Sequence, residues 1–266
     1  MKKIYLLFTF IIYNLCVEAQ TNYGPTISAM GNAGVALQNV WSLQKNQAGV
    51  AALKNPEIAV AYENKYGISN FDTKSLVFAI PLKNYVLGTS FQTYGVESYK
   101  ESKTSLSLAR AISPKLLMAF GLNYHQLQIE NYGSAKSVSV EFGLQYEVIP
   151  KLWLASHIAN PNQSNYDADN EQIIPTHIQF GASYRFSYQL FISSEIEKVI
   201  DHEADFKTGI SYHLVKLITL RGGISVNPFK QYAGFGLDYE KLNVNFSVSS
   251  HPILGYSPQI SIGYEF

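Results

Sequence analysis

The chain of 266 residues carries no formal net charge, with 20 Lys and Arg against 20 Asp and Glu. This balance gives no electrostatic reason to expect nucleic acid or an anionic surface as a partner. Charged residues make up 15% of the chain and aromatic residues 14%, whereas a soluble globular domain usually carries about 25% charged residues. The composition therefore points away from nucleic-acid binding and from an ordinary soluble domain.

The first residues predict export. Residues 1–19 form a signal peptide, because two lysines precede an apolar run over 4–15 and the small-residue exit at 17–19 permits cleavage. The apolar run is too short for a spanning helix. A lipoprotein signal is the less favoured alternative, because Leu15 stands where a small residue would precede Cys16. Cleavage leaves no cysteine, so we expect neither disulfides nor thiol chemistry.

Residues 20–56 lack the pattern of the rest of the chain. They are rich in glycine and alanine, most densely between Ile27 and Leu53. Beyond Pro56 the sequence becomes a long succession of alternating apolar and polar positions. We therefore treat 20–56 as a separate amino-terminal segment.

Alternation is the signal of strands with one apolar face. Between Val138 and Val148 every even position is large and apolar, and every odd position is polar or glycine. The same phase holds between Phe206 and Leu214. Alternation by itself fits a secreted β-sandwich as well as a membrane barrel.

The connections separate these two alternatives. From Glu57 onward we identify about fourteen segments of about ten residues, the length of a tilted membrane-crossing strand. Short polar connections are predicted at 83–84, 113–115, 150–151, 187–188, 215–216 and 240–241. Longer ones alternate with them at 67–73, 97–103, 131–136, 160–175, 199–203, 227–231 and 251–258. A Greek-key sandwich has no reason to sort its connections in this way, so residues 57–266 are predicted to form an all-β, antiparallel transmembrane barrel in outer-membrane lipid of a Gram-negative bacterium.

Two strands depart from the pattern. The phase slips near His125 and Gln126, which predicts either a β-bulge or extension of the strand into water. Residues 85–96 alternate weakly because Gly88, Thr89 and Ser90 dilute both faces. A break in that strand is a plausible place for a lateral opening.

The last residues fit assembly as a barrel. Ile260, Ile262, Tyr264 and Phe266 share one face, and the chain stops on an aromatic residue. This ending resembles the signal by which the barrel-assembly machinery recognises outer-membrane proteins. Phe266 is therefore the expected point of contact with that machinery.

The sequence offers little for catalysis. The six histidines stand singly, without the spacing of a metal site, and there is no Gly-x-Ser-x-Gly elbow. Acidic residues at 167–171 do not complete an EF-hand, so a solvated loop is favoured over a calcium site. We expect no enzyme, no cofactor and no metal.

Polar residues on the inward-facing positions are the candidates for a lumen site. In one interpretation they line a conduit and select what passes. In the other they pair across strands to fill the lumen. Arg221 with Glu195 or Asp205 is the pair to test first. The inward polar set is Glu63, Glu141, Glu147, Arg185, Glu195, Glu197, Asp205, Lys207, Arg221 and Asp238.

The amino-terminal segment carries a family resemblance. The runs Ser28-Ala29-Met30-Gly31-Asn32-Ala33-Gly34-Val35-Ala36 and Asn46-Gln47-Ala48-Gly49-Val50-Ala51 resemble the amino-terminal signature of the PorV/PorQ family and, more distantly, of FadL-type fatty-acid channels. Gln47 stands where these families usually have proline. The resemblance implies a fourteen-stranded outer-membrane barrel linked to type IX secretion.

This segment is suited to plug the barrel. Glycines permit close packing and unusual backbone angles, the alanines fit a narrow lumen, and Trp41 can anchor the segment against the wall. The alternative is a flexible leader followed by an irregular first strand. The predicted plug or hatch residues are Gly31, Asn32, Gly34, Trp41, Asn46 and Gly49.

Three functions remain open. The resemblance favours binding of exported proteins or secretion components and their handover at the surface. The alternative is FadL-like uptake of a hydrophobic small molecule, which enters from outside, passes the plug and leaves through a gap in the wall. The third is a structural scaffold in the outer membrane.

Overall fold

The alternating stretches form strands in the computed structural model, which describes residues 23–68, 71–166 and 174–266. The predicted signal peptide lies outside these residues. The strands in the described part are β1 (Glu57–Asn64), β2 (Asp72–Leu82), β3 (Tyr85–Val96), β4 (Tyr99–Ser113), β5 (Leu116–Ile129), β6 (Gly133–Ile149), β7 (Leu152–Ala159), β8 (His177–Arg185), β9 (Leu190–Val199), β10 (Asp205–Val215), β11 (Ile218–Val226), β12 (Phe229–Tyr239), β13 (Leu242–His251) and β14 (Gly255–Glu265).

These fourteen described strands close into one barrel. Each pairs with its neighbours in the chain, and β1 pairs antiparallel with β14 from Glu57↔Glu265 to Glu63↔Gln259. Closure satisfies the backbone hydrogen bonds of every strand, which a sheet in lipid requires. The predicted fold class is therefore confirmed.

The two faces of the wall differ in chemistry. On β6, Phe142 and Tyr146 point outward with 49% and 45% of their surface exposed, while Ser139 and Gln145 point inward and are fully buried. Because successive side chains of a strand alternate between faces, the same division runs around the barrel. The outer face is apolar and the lumen is polar, as expected of a barrel in lipid.

The connections divide between two ends of the barrel. Six connections of two to four residues, beginning with 83–84, define the turn end, where β1 also starts and β14 stops. The other seven, from two residues at 97–98 to seventeen at 160–176, define the loop end. The predicted loops at 97–103 and 227–231 are mostly strand, because hydrogen-bonded pairing continues where apolar alternation has ended.

The predicted bulge in β5 is absent. Pairing with β6 runs without a shift from Leu116↔Tyr146 to Ile129↔Gly133. Leu127 keeps its inward phase and is buried, so an apolar side chain on the lumen face produced the apparent slip. The continuous pairing agrees with the alternative prediction, that the strand extends beyond the membrane.

The predicted break in β3 is also absent from the described strands. Pairs with β2 run from Thr73↔Tyr94 to Leu82↔Tyr85, and pairs with β4 from Val86↔Ala109 to Val96↔Tyr99. The small residues of β3 weaken the apolar pattern without interrupting its hydrogen bonds. The wall is closed here.

Residues 23–53, which we call the lumen segment, lie inside the barrel. They contain α1 (Gly24–Ser28) and two 3-10 helices (Val40–Gln44 and Gln47–Ala52), and most of their side chains are buried. A further 3-10 turn, Lys65–Gly67, lies between β1 and β2. None of the described helices is long and apolar enough to span a bilayer.

Candidate functional site

Inward-facing glycines of the wall form the seat of the lumen segment. A Cβ on Gly143 would lie 2.0 Å from Asn46 Oδ1, and one on Gly209 would lie 2.3 Å from the Met30 carbonyl oxygen. The corresponding distance from Gly88 to Leu43 Cδ2 is 2.1 Å. At Gly209 the near atom is backbone, which leaves no room for a side chain, since glycine is used where another backbone approaches closely. At Gly88 and Gly143 the near atom is the end of a segment side chain, which would have to move.

Gly31 of the lumen segment lies directly against the wall. Its φ is +70°, and a Cβ would lie 2.7 Å from the Ile224 carbonyl oxygen and 2.8 Å from that of Thr208. Asn32 follows with φ of 60°. The chain therefore turns in the left-handed region, which glycine and asparagine enter most readily, directly against β10 and β11.

Asn46 holds two parts of the lumen segment together. Its side-chain amide donates to the Val35 carbonyl oxygen at 2.8 Å, and its Oδ1 accepts from the Ala48 backbone N–H at 3.2 Å. From the wall, Gln145 Nε2 donates to the carbonyl oxygens of Val35 and Leu37, each at 3.0 Å. Backbone groups that lack secondary-structure partners are thereby satisfied inside the barrel.

The remaining predicted segment residues pack within the segment. A Cβ on Gly49 would lie 2.2 Å from the Leu37 carbonyl oxygen, and one on Gly34 would lie 2.5 Å from Ile27 Cγ2. The Trp41 ring covers Gly24, where a Cβ would lie 2.2 Å from it. Trp41 thus packs on its own segment, in addition to any contact with the wall.

A buried ion pair joins the lumen segment to β9. Lys45 Nζ lies 2.7 Å from Glu195 Oε1 and 3.7 Å from Glu197 Oε2, and the side chains of Lys45 and Glu195 are inaccessible to solvent. The other oxygen of Glu195 accepts from the Val35 backbone N–H at 2.9 Å. The ammonium also lies 4.3 Å from the centre of the Tyr23 ring. One carboxylate therefore holds two separate points of the segment.

Glu141 on β6 makes a second attachment. It accepts hydrogen bonds from the Gln47 side chain, from Lys103 Nζ at 2.7 Å and from Asn123 Nδ2 at 2.5 Å. His157 Nε2 lies 3.3 Å from Glu141 Oε2, the oxygen that also accepts from Gln47. A buried carboxylate is tolerated when it is paired and fully hydrogen-bonded.

The two attachments belong to one network. His157 Nδ1 lies 3.0 Å from Gln179 Oε1, and Gln179 Nε2 donates to Glu197 Oε1 at 2.6 Å. Glu197 also binds Lys207 and His177. The network takes side chains from seven consecutive strands, β4 to β10, and extends from the lumen segment toward the loop end. The sequence did not single out Lys45, His157 or Gln179, because their partners are distant in the chain.

The expected pairing of Arg221 is wrong. Arg221 Nη1 donates to Asn245 Oδ1 at 2.9 Å and lies over Gly236, while Glu195 is occupied by Lys45. Asp205, at the loop end, accepts from the backbone N–H groups of residues 226 and 227 at 3.0 and 2.8 Å. Arg221 and Asp205 therefore lie toward opposite ends of the barrel.

A cavity opens at the turn end. Its volume is about 380 Å³, and it lies between the lumen segment and strands β6 to β11. Arg185, the last residue of β8, lines it with its guanidinium carbon 5.2 Å from the centre of the Phe191 ring. We call this cavity the vestibule.

An apolar groove crosses the outer face over β2 to β5. Its volume is about 450 Å³, and its floor is the β3 backbone at Gly88 and Thr89. Leu43 of the lumen segment packs against the inner side of Gly88. The groove and the segment are therefore separated by a single layer of backbone. The walls of the groove are Phe78, Ile80, Leu87, Leu106, Leu108, Phe120 and Leu122.

No group of three metal-ligating side chains occurs within the described ranges. The acidic residues at 167–171 lie outside them.

Comparison with known proteins supports the fold. No protein-family profile and no curated protein matches the chain. Among solved structures, the toluene transporter TbuX of Ralstonia pickettii matches with 13% identity and a TM-score of 0.71 over 91% of this chain and 98% of that chain. The P. putida toluene transporter TodX matches with 10% identity and a TM-score of 0.69 over 92% and 98%.

A Pseudomonas aeruginosa FadL homologue matches with 11% identity and a TM-score of 0.65 over 91% of this chain and 98% of that chain. At sequence identities this low, the similarity shows a shared fold alone. TbuX and TodX are described as toluene transporters, and the third protein as a FadL homologue. The apolar outer face on this fold places the protein in the outer membrane, and the chain has the fold of the FadL-like outer-membrane barrels.

Proposed function

We propose that the protein is an outer-membrane channel for a small hydrophobic molecule, with the lumen segment as its plug. The observation that carries this proposal is the apolar groove over β3, which lies opposite the buried Leu43. In this proposal the molecule leaves the lumen sideways at Gly88 and enters the groove. The proposal takes its class of cargo from the toluene transporters that share this fold.

Passage requires the lumen segment to move. Its contacts with the wall at Gly143 and Gly209 leave no room for a cargo molecule. The polar network on the loop-end side of the segment consists of carboxylates, amides and cations. A hydrophobic molecule resting in that network would deprive those groups of hydrogen bonds, at a cost of about 1–3 kcal/mol for each group. The cargo therefore passes only when the segment shifts and β3 parts from a neighbour.

Filling the groove tests the exit. Thr89 points outward from its floor and donates its hydroxyl to the Ser105 carbonyl oxygen at 3.0 Å. We expect Thr89→Phe to lower uptake of radiolabelled toluene several-fold in cells lacking the native gene, because the ring occupies the exit. Uptake at equal levels of folded barrel is the measurement.

Thr208 provides a matched control. It also points outward, and its hydroxyl donates to the Ser193 carbonyl oxygen at 3.2 Å. Thr208→Phe therefore adds the same bulk to the lipid face away from the groove and should leave uptake unchanged. Equal uptake in Thr89→Phe and the native protein would contradict an exit at β3.

Handover of exported proteins, as in the PorV/PorQ group, is the second candidate. The polar, filled loop-end half of the lumen favours it, since a barrel that only binds a partner needs no conduit. Affinity purification from the native outer membrane should then recover exported or secretion proteins. Recovery of the barrel alone, with toluene uptake absent, would leave the scaffold function.

A further inference from the structure

We propose that the vestibule binds a small amphipathic organic anion, with an aromatic carboxylate as its simplest form. The vestibule lies on the turn-end side of the lumen segment, and residues 36–39 of the segment form part of its wall. Short turns of outer-membrane barrels face the periplasm, so the ligand reaches the site from that compartment. Binding here is independent of the proposed uptake function.

Cations without ion pairs supply the charge recognition. Lys151, Arg185 and Arg221 line the vestibule, and among the described residues none of the three has a carboxylate within ion-pair distance. By contrast, the lumen cations Lys45 and Lys103 are each held 2.7 Å from a glutamate. Lys45 and Lys103 are thus neutralised by carboxylates, whereas within the described part of the chain the three cations of the vestibule are not.

The acidic groups nearby do not cancel this charge. Glu147 lines the vestibule, and its Oε1 accepts from the Lys151 backbone N–H at 2.9 Å. Asp238 interacts electrostatically with Arg221 without forming an ion pair. The site therefore keeps one more cation than anion, and two of its cations are guanidinium groups, which can bind a carboxylate through two parallel hydrogen bonds.

Apolar side chains provide a place for the body of the ligand. Trp153, Phe191, Met30 and Leu37 line the same cavity. Arg185 lies over the Phe191 ring, so its charge stands at the border between the aromatic wall and the open mouth. Aromatic walls with a few placed polar groups are typical of small-molecule sites. A volume of about 380 Å³ accommodates a substituted benzene ring.

His213 adds an unused polar atom. Its ring lines the vestibule and its Nδ1 is buried without a hydrogen-bond partner in the described structure. An imidazole nitrogen can donate to, or accept from, a bound ligand. A ligand oxygen would satisfy it.

A matched pair of ligands tests the charge requirement. The probes are 4-(trifluoromethyl)benzoate and its neutral counterpart (trifluoromethyl)benzene, followed by fluorine NMR with the full-length barrel in zwitterionic lipid nanodiscs and with empty nanodiscs. We expect saturable broadening for the benzoate alone. Equal saturable binding of the neutral probe, or no saturable binding of the benzoate up to millimolar concentration, would overturn the proposal.

Arginine variants test the residues. Arg185→Gln and Arg221→Gln should each weaken benzoate binding about tenfold, which corresponds to about 1.4 kcal/mol. Arg110→Gln is the matched control, because Arg110 is an exposed arginine near the turn end that also lies over an aromatic ring, 5.0 Å from the centre of Tyr85, outside the vestibule. Equal weakening by Arg110→Gln would show attraction to the whole rim and exclude this site. Heat-shifted mobility in detergent gels confirms that each variant is folded.

Discussion

At the scale of single residues, glycine decides how closely the lumen segment and the wall approach. Gly31 on the segment and Gly223 on β11 face each other, and a Cβ on Gly223 would lie 2.3 Å from the Gly31 nitrogen. The sequence shows glycines at polar positions of alternating strands. It does not show that these glycines meet a second chain segment, because that contact joins residues far apart in the sequence.

Gly31→Val should displace the lumen segment and leave the barrel closed. The valine would have to adopt a positive φ and would clash with two carbonyl oxygens. We expect faster cleavage of the segment by added protease, with unchanged heat-shifted mobility of the barrel. Failure of the whole barrel to assemble would show that the segment is required to build the wall.

Gly67→Val separates backbone strain from the clash. Gly67 has φ of +66° and nothing within 4 Å of a built Cβ. The substitution should cost about 1–2 kcal/mol in backbone strain without exposing the lumen segment. Equal exposure of the segment in both variants would contradict the role of close packing at Gly31.

At the scale of elements, the lumen segment is held by side chains from several strands. Lys45 and Gln47 connect it to β9 and β6, while Asn46 folds it onto its own earlier part. The resemblance of residues 46–51 to a family signature drew attention to Asn46 and Gly49. It did not reveal the role of Gln47, which bonds Glu141 at the position where those families usually have proline.

Lys45→Met should loosen the lumen segment without unfolding the wall. Removing one partner of a buried ion pair costs about 3–5 kcal/mol, and here that cost falls on the contact between segment and β9. Ion conductance across planar bilayers should rise, because the segment then leaves its seat more often. Native conductance would show that Lys45 does not secure the segment.

Lys103→Met is the comparison for that variant. Lys103 pairs with the same kind of buried carboxylate, but both partners belong to the wall and its side chain is 22% exposed. A partly exposed pair contributes less than a buried one. Its replacement should therefore change conductance less than Lys45→Met does.

At the scale of the whole molecule, the barrel depends on its apolar outer face. Phe142 on β6 is outward-facing and packs with Phe120 at 5.2 Å between ring centres. Phe142→Arg should destabilise the barrel by about 2–4 kcal/mol if the site lies near the bilayer midplane. Urea unfolding in lipid vesicles measures this loss.

Tyr132→Arg is the control for the lipid face. Tyr132 lies in the connection between β5 and β6 and is 89% exposed. An arginine there meets water or lipid headgroups and should leave the unfolding midpoint unchanged. Equal destabilisation by both variants would contradict the assigned position of the membrane.

The sequence by itself determined the class of fold, the number of strands and which face of most strands meets lipid. Strand alternation is a local property, since successive side chains point to opposite faces, and membrane thickness sets the strand length. The short turns were also predicted, because tight turns need particular residues at particular places. The loop-end extensions of several strands were not predicted, because strand pairing in water requires no apolar alternation.

Only the tertiary structure decided how residues 23–53 are used. The seat at Gly88, Gly143 and Gly209, the pair of Lys45 with Glu195, and the placement of Arg221 beside Asn245 join residues that are distant in the chain. Closure of the barrel brings strands that are distant in the sequence around one segment. The register of those strands, and not a local sequence pattern, determines which side chains meet there. The small-residue composition of the segment permits that packing, and the three-dimensional arrangement of the wall selects its partners.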